Sequence, residues 1–419
     1  MKENQRETLS MVLSVLIFAA TFQVCFSATK QLRGSIKMQT KSPKRVGSSL
    51  VFHVEGDIYP NGFFYTSIYI GNPPKLYFLD IDTGSDLTWV QCAAAPSAKL
   101  LKAPHTPYKP NNNAVFCKDP LCASVNQPSG YPCKSPNDQC DYEVEYADYG
   151  SSLGVLVRDK VPFKFTNGSV SQPILAFGCG YDQAFSGPFS PPYVDGVLGL
   201  ANGKSSIVSQ LRNLGITRNV IGHCFSGRGG GFLFIGDDII PSGTAWIPML
   251  PNSLNHYLSG PVDLLFDGKT LGAKGLNIVF DSGSTYTYLN SQAYQATLSR
   301  LNSGLVGKPI SKVADGNLPV CWKGAHPFRS VGDIRKYFST LELSFTNAKN
   351  VRFVIQPEGY LILTSPGTVC LGILNSAEAN LGNLNLIGDI SFQDKLIIYD
   401  NERRMIGWAP SNCQKPPKF

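Results

Sequence analysis

Charge is scarce in this 419-residue chain: Asp, Glu, Lys and Arg make up 16% of it, against about 25% in typical usage. With 40 glycines and 29 prolines, that scarcity favours turn-rich β structure. The formal net charge is +7, yet six cations between Ala28 and Ser48 (Lys30, Arg33, Lys37, Lys41, Lys44, Arg45) supply all but one of it. The rest is nearly neutral and offers no basic, aromatic-lined groove, so nucleic acid is excluded as a partner. Histidine is rare, and the five present form no HxxxH pair. Cys117 and Cys122, or Cys133 and Cys140, are not at CxxC spacing. No zinc site, and no other metal or organic cofactor, is therefore expected. After the N-terminal region no further long apolar run occurs, and the closing "SNCQKPPKF" lacks the greasy tail of a lipid-anchor signal. The mature form is expected to be soluble, without a stable membrane anchor.

What is present at the start is "MVLSVLIFAATFQVCFS", Met11 to Ser27. Its apolar core is shorter than the ~20 residues a spanning helix needs, and small residues follow it. Residues 1–27 read as a secretory signal cleaved near Ser27. Residues 28–49 are polar, basic and aperiodic, either a solvated leader or a removable pro-segment whose cations rest near an acidic cleft. Cys25 falls in the signal, leaving ten cysteines in a chain bound for an oxidising compartment, where disulfides are the default. The sequon at Asn167, "NGS", is a glycosylation acceptor on the same route.

Short alternating apolar runs dominate the body: "FFYTSIYIG", "CDYEVEYAD", "VLVRDKVPFKF", "GGGFLFIGD", "LIIYDNE". Helical signals are few. Ile207, Val208, Leu211 and Leu214 share one face before Gly215, and Asn290 caps a run carrying Tyr294, Leu298 and Leu301. A capping box is suggested from Ser330 to Asp333.

The chain also repeats itself. "LDIDTGSDLTWVQC" begins at Leu79, and "VFDSGSTYTYL" begins at Val279. Asp82 is followed 117 residues later by Gly199 in "VLGLA", and Asp281 is followed 107 residues later by Gly388 in "LIGDI". Two similar lobes follow, residues 50–243 and 244–419, with a linker around Ile240–Pro248. A single Asp-hydroxyl-Gly-Ser turn is what any tight turn prefers. Two of them, one per half, allow an approximate two-fold axis to bring Asp82 and Asp281 together. Paired carboxylates cannot both ionise cheaply, so they share a proton and titrate as a unit. The ionised member takes a proton from a water, while the protonated one hydrogen-bonds a substrate carbonyl. Gly84 and Gly283 admit close backbone approach, and Thr83, Ser85, Ser282 and Ser284 supply hydroxyls to hold the turns.

These residues resemble those of the pepsin-like aspartic proteases, over roughly Phe63 to Pro410; that family's dyad is also a standard example of a shared proton. The resemblance implies a mostly β, bilobal fold with pseudo-two-fold related lobes, a long peptide cleft and a few short helices. It implies catalysis by Asp82 and Asp281, bracing of the turns by Thr83 and Ser282, and outer hydrogen bonds from Ser85 and Ser284. "CDYEVEYADYGSSLGVLVRD" is similar to the flap hairpin, with Tyr146 as the flap tyrosine and Trp89 as its indole partner. Tyr149 stands where the family commonly has glycine. "FGCGYDQ" and "VIGHCFSG" are most similar to the plant nucellin-like, nepenthesin-type branch. The resemblance also implies a Cys321–Cys370 disulfide; the other eight cysteines allow 105 pairings.

The expected function is thus a secreted aspartic endopeptidase, made as a glycosylated zymogen, monomeric, extracellular or vacuolar, acting on protein or peptide substrates. Its cleft is expected, from the resemblance, to favour apolar or aromatic side chains beside the cut bond. The main alternative is an inactive pepsin-fold inhibitor or binding protein, which would typically have lost a catalytic acid. Gly150–Gly154 also satisfies the GxSxG pattern of a nucleophile elbow at Ser152, but a β-branched run rather than a helix follows it. "DIDTG" is similar to a phosphatase start without the final threonine, and "GRGGGFLFIG" lacks phosphate-loop spacing.

Overall fold

A computed structural model describes residues 49–93, 99–125, 133–186, 191–316, 318–349, 351–364 and 367–416. The expected signal, with Cys25, and the basic segment lie outside these residues except for Ser49. That residue already belongs to the folded body, since it is buried and its backbone N–H and hydroxyl both donate to Asp238.

Alternating apolar residues build the sheets as expected. Phe63–Ile70 places Phe64, Thr66, Ile68 and Ile70 inward, and Lys75–Asp82 buries Tyr77, Leu79 and Ile81. Gly150–Lys160 stops before Pro162, which has no N–H to give a ladder, and pairing resumes at Phe163–Lys164. The largest sheet runs through thirteen strands and an eight-stranded sheet forms much of the second half.

Each half contains the same local device. Gly196–Gly199 lies parallel to Lys75–Asp82, with Gly199 opposite Asp82. Leu386–Ile387 lies parallel to Leu276–Phe280, with Ile387 opposite Phe280 and its carbonyl accepting from Asp281 N–H at 3.0 Å. The sequence repeat is therefore a repeat of strand, turn and parallel partner strand. Behind the turns, apolar burial is the main stabilising term; Phe64 stacks on Phe225 at 4.2 Å and Phe280 packs against Phe353 and Phe392.

The helices are short. Ile207–Asn213 buries Ile207, Val208 and Leu211. Leu214, expected on the same face, is exposed, because the helix has ended and the chain turns through Gly215 at φ 68°. Ser291–Leu305 is capped by Asn290, whose side chain accepts from Ala293 N–H, and it buries Tyr294 and Leu301. Ser330 and Asp333 do form a capping box, on a 3₁₀ turn.

The expected linker is only partly a loop. Ala245–Pro248 forms a strand against Met405–Pro410, which pairs in turn with Lys395–Asp400, and that strand joins Val220–Phe225 of the first half. Strands from both ends of the chain thus share one sheet.

All ten cysteines of the body are paired, as Cys92–Cys179, Cys117–Cys133, Cys122–Cys140, Cys224–Cys413 and Cys321–Cys370. Among the described residues no helix is long and apolar enough to cross a membrane.

Candidate active site

Asp82 ends its strand and Asp281 directly follows its own, so each carboxylate stands at the start of a tight turn. Asp82 Oδ1 accepts from the backbone N–H groups of Gly84 (2.7 Å) and Ser85 (3.2 Å), and its Oδ2 accepts from the Ser85 hydroxyl. Asp281 repeats this arrangement. Its Oδ1 accepts from Gly283 N–H at 2.9 Å, and its Oδ2 accepts from the Ser284 hydroxyl at 2.9 Å.

The two turns are bound to each other reciprocally. Thr83 N–H donates to Ser282 Oγ (3.1 Å), while Ser282 N–H donates to Thr83 Oγ1 (2.9 Å). The same hydroxyls donate across the divide, Thr83 to Phe280 O at 3.3 Å and Ser282 to Ile81 O at 2.8 Å. Both side chains are almost wholly buried, where four satisfied bonds hold geometry more firmly than they would in water.

This bracing sets each glycine against the opposite acid. A Cβ on Gly84 would lie 2.6 Å from Asp281 Oδ1, and one on Gly283 would overlap Asp82 Oδ1. The glycines are needed here for contact rather than for backbone freedom. Burial pushes the pKa of Asp82 up, and the nearby charge of Asp281 pushes it further, against the hydrogen bonds of Ser85 and Gly84. Burial also raises Asp281, opposed by bonds from Gly283 and Ser284 and by its contact with Asp82. Two carboxyls held this way retain one proton between them more readily than free aspartates do.

The hairpin of Asp141–Glu145 and Gly150–Lys160 carries Tyr146 to the neighbourhood of Asp82. Trp89 Nε1–H donates to the Tyr146 hydroxyl at 2.7 Å. Burial, then the charge of Asp82, raises the Tyr146 pKa well above its usual value, so the phenol keeps its proton. At the tip, Tyr149 takes φ 68°, a conformation that favours glycine. Its hydroxyl accepts from Asn380 Nδ2 of the second half.

Several neighbours were not singled out from the sequence. Tyr399, buried beneath the turns, interacts with Thr83 and meets the imidazole of His223 at 3.1 Å. Burial lowers the His223 pKa to about 3, so that ring is neutral. Asp80 and Asp389 are further acids near the dyad. Their only sequence signals were a second aspartate in "DIDTG" and the aspartate of "LIGDI".

The remaining sequence-marked residues lie apart. Asn167 sits on an exposed turn, its Oδ1 accepting from Ser169 N–H at 2.9 Å. Ser152 is buried inside a strand against the Tyr142 hydroxyl at 3.0 Å, with no helix after it. Among the described residues, potential metal ligands converge at Cys117, Cys122 and Cys133, and at Asp315, Cys321 and Cys370. Every one of those sulfurs is committed to a disulfide, and the thiolate is the form that binds metal.

Two family models, described as xylanase inhibitor N-terminal and xylanase inhibitor C-terminal, match residues 64–237 and 263–410. An aspartic proteinase of Oryza sativa subsp. japonica is 43% identical over 385 residues, covering 88% of this chain and 93% of the relative. Aspartic proteinase 36 of Arabidopsis thaliana is 28% identical over 379 residues, covering 85% and 75%. Nepenthesin-1 of Nepenthes gracilis is 25% identical over 405 residues, covering 91% and 84%. Among solved structures, basic 7S globulin from soybean matches with a TM-score of 0.67 at 17% identity, over 89% of this chain and 99% of the globulin. Conglutin gamma from lupine seeds gives 0.67 at 18%, over 87% and 95%. The architecture is the bilobal pepsin-like fold. By its relatives the chain belongs to the pepsin-fold aspartic proteinase family, in the branch with xylanase-inhibitor-type halves.

Proposed function

We propose that this protein is an aspartic endopeptidase in which Asp82 and Asp281 activate a water for attack on a peptide carbonyl. The observation that carries this reading is the reciprocal placement of each turn glycine against the opposite carboxylate. That placement leaves the two acids facing one small space with one proton to share. The ionised acid takes a proton from the water as its oxygen bonds to the carbonyl carbon. The protonated acid gives its proton to the carbonyl oxygen, which forms a neutral tetrahedral diol. Collapse of the diol returns a proton to the leaving amine and releases both peptides. No covalent enzyme adduct forms. Ser85, Ser284, Gly84 and Gly283 fix the acids, and Tyr146, steadied by Trp89, closes over the substrate.

The reading extends to a monomer with lobes at 50–243 and 244–419, entering the secretory pathway behind the signal at 1–27. It also takes residues 28–49 to be removed on activation and Asn167 to be glycosylated, with an extracellular or vacuolar destination. Five disulfides accord with that route. The family models' description favours a second reading, a pepsin-fold inhibitor that binds an enzyme and cuts nothing. Retention of both acids and both Gly-Ser pairs supports catalysis instead. The test is hydrolysis of a denatured protein at acid pH by the mature chain. Cleavage that disappears in both Asp82→Asn and Asp281→Asn supports the enzyme. No cleavage by correctly processed wild type, or activity unchanged in either variant, overturns it.

A further inference from the structure

Residues 251–257 of the second half lie against the turn that carries Asp82. Tyr257 is wholly buried, and its hydroxyl donates to Leu200 O at 2.7 Å. Leu200 N–H donates in turn to Asp82 O at 2.7 Å, and Ala201 N–H donates to Ser85 O at 2.8 Å. Asn255 O accepts from Asn202 N–H at 3.3 Å, while Tyr257 O accepts from the N–H of Phe280, the residue before Asp281, at 2.9 Å. The loop is thus fastened to the backbone beside both acids.

His256 lies between those two anchors. A single side chain fixes its backbone: Asn252 Oδ1 accepts from His256 N–H at 3.0 Å, and Asn252 Nδ2 donates to His256 O at 2.7 Å. The imidazole itself is half-buried and has no hydrogen-bond or ion-pair partner among the described residues. Burial lowers its pKa, and the charge of Asp82 opposes that fall, so ring and carboxylate are within electrostatic reach. The hydrogen-bonded neighbours of this loop are neutral: Asn252 and Asn255 within it, Asn202 from the first half, and Tyr257, whose phenol keeps its proton because burial raises its pKa.

The internal repeat shows that the turns do not require this base. In each half a loop precedes a long strand, Phe63–Ile70 in the first and Leu258–Phe266 in the second. The first-half loop also reaches the opposite turn, where the Thr285 hydroxyl donates to Gly62 O. Its residues 59–62 include no lysine, arginine or histidine. A base therefore accompanies one acid of the pair and has no equivalent beside the other.

An imidazole whose pKa lies below the usual 6.5 still carries a proton in acid solution. A cation near a carboxyl favours its ionised form. We propose that His256 is a positioning residue of the dyad, the counter-cation whose imidazolium keeps one of the two carboxylates ionised in strongly acid solution. The catalytic consequence rests on the endopeptidase reading; the electrostatic contact does not. Burial drives both acids towards protonation, and the uncharged pair has no base to take a proton from water. The imidazolium opposes that loss in the same pH range in which it forms.

Two measurements test this, one of them independent of turnover. In the mature protein labelled at histidine, the His256 ring resonance is assigned by its absence from His256→Gln and His256→Lys. It should titrate at lower pH in Asp82→Asn than in wild type, because the anion that favours its charge has gone. In kinetics, His256→Gln should keep the wild-type urea midpoint. Its kcat at about pH 3, relative to its own maximum, should fall on the order of threefold, as an upward move of the acid limb by about half a unit gives. His256→Lys, which remains cationic, should retain the wild-type acid limb. An acid limb unchanged in His256→Gln, a lysine variant that behaves like the glutamine one, or a ring titration unaffected by Asp82→Asn overturns the proposal and leaves the endopeptidase reading standing. If wild type cuts no peptide, that reading falls, and the ring titration alone decides the coupling.

Discussion

At the scale of single residues, the site depends on two hydrogen atoms where other amino acids carry a β-carbon. Gly84→Ala puts a methyl group 2.6 Å from Asp281 Oδ1, inside any ordinary contact, so the carboxylate must move. The expected variant folds with wild-type circular dichroism and loses about 10²-fold or more in kcat, comparable to misplacing a reacting group by an ångström. Normal turnover would show that the acids tolerate the shift. Asp82→Asn removes a proton carrier outright and is expected to cost about 10²–10⁴-fold. Because burial raises both acids, the singly protonated pair persists above the usual carboxylate range near 4. The pH profile of kcat should be bell-shaped, with its maximum on the acid side of neutrality. It falls at high pH as the last shared proton leaves and at low pH as the second acid takes one up. A maximum above neutrality would contradict this assignment.

At the scale of elements, the hairpin is secured at both ends of its tip. Trp89 holds Tyr146, and Asn380 of the second half holds Tyr149. Trp89→Phe keeps most of the ring and removes only the indole N–H. Loss of one such bond is worth about 1 kcal/mol, so kcat/KM on a long peptide should fall roughly fivefold while the unfolding midpoint changes little. Equal losses in activity and stability would mean that Trp89 is core alone. The hairpin was readable from alternation and from its likeness to a known flap. The contact from Tyr149 to Asn380 was not, because nothing in a strand pattern says which residue 231 positions away becomes a neighbour.

The same limit applies to every contact between distant parts of the chain. The dyad and its braces could be located because the chain states them twice, and duplication carries spatial information. Asp80 and Asp389 occur once each, in phrases that otherwise look like turn and strand, so their convergence was invisible. Of the disulfides only Cys321–Cys370 was expected, through family resemblance; pairings such as Cys224–Cys413, 189 residues apart, are set by which strands become neighbours. Leu214 fits the helical period but lies one residue past the end of the helix at Asn213, so it is not held on the buried face.

At the scale of the whole molecule, the buried acids make stability depend on pH in an unusual direction. Carboxyls usually favour the folded state as pH rises because they are paired. Asp389 is instead raised by burial and by the charges of Asp80, Asp281 and Asp82. Below about pH 4 it is protonated whether the chain is folded or not, and it costs nothing. Above that, the unfolded chain ionises first while the folded chain holds the proton, so stability falls as pH rises towards the raised pKa. Asp389→Asn should therefore be stabilising at pH 7 and nearly neutral at pH 4. Urea midpoints at the two pH values check this; an equal effect at both would refute it.

The sheet shared by both ends of the chain has a consequence for synthesis. Val220–Phe225 waits for Lys395–Asp400 as its hydrogen-bonded neighbour, so while the ribosome is still making the second half, one edge of the nascent first half stays bare. Such an edge is a template for pairing with other chains. Completion of the polypeptide, rather than of either half, is the event that seals it, and a chain released before Lys395 would carry that adhesive border permanently.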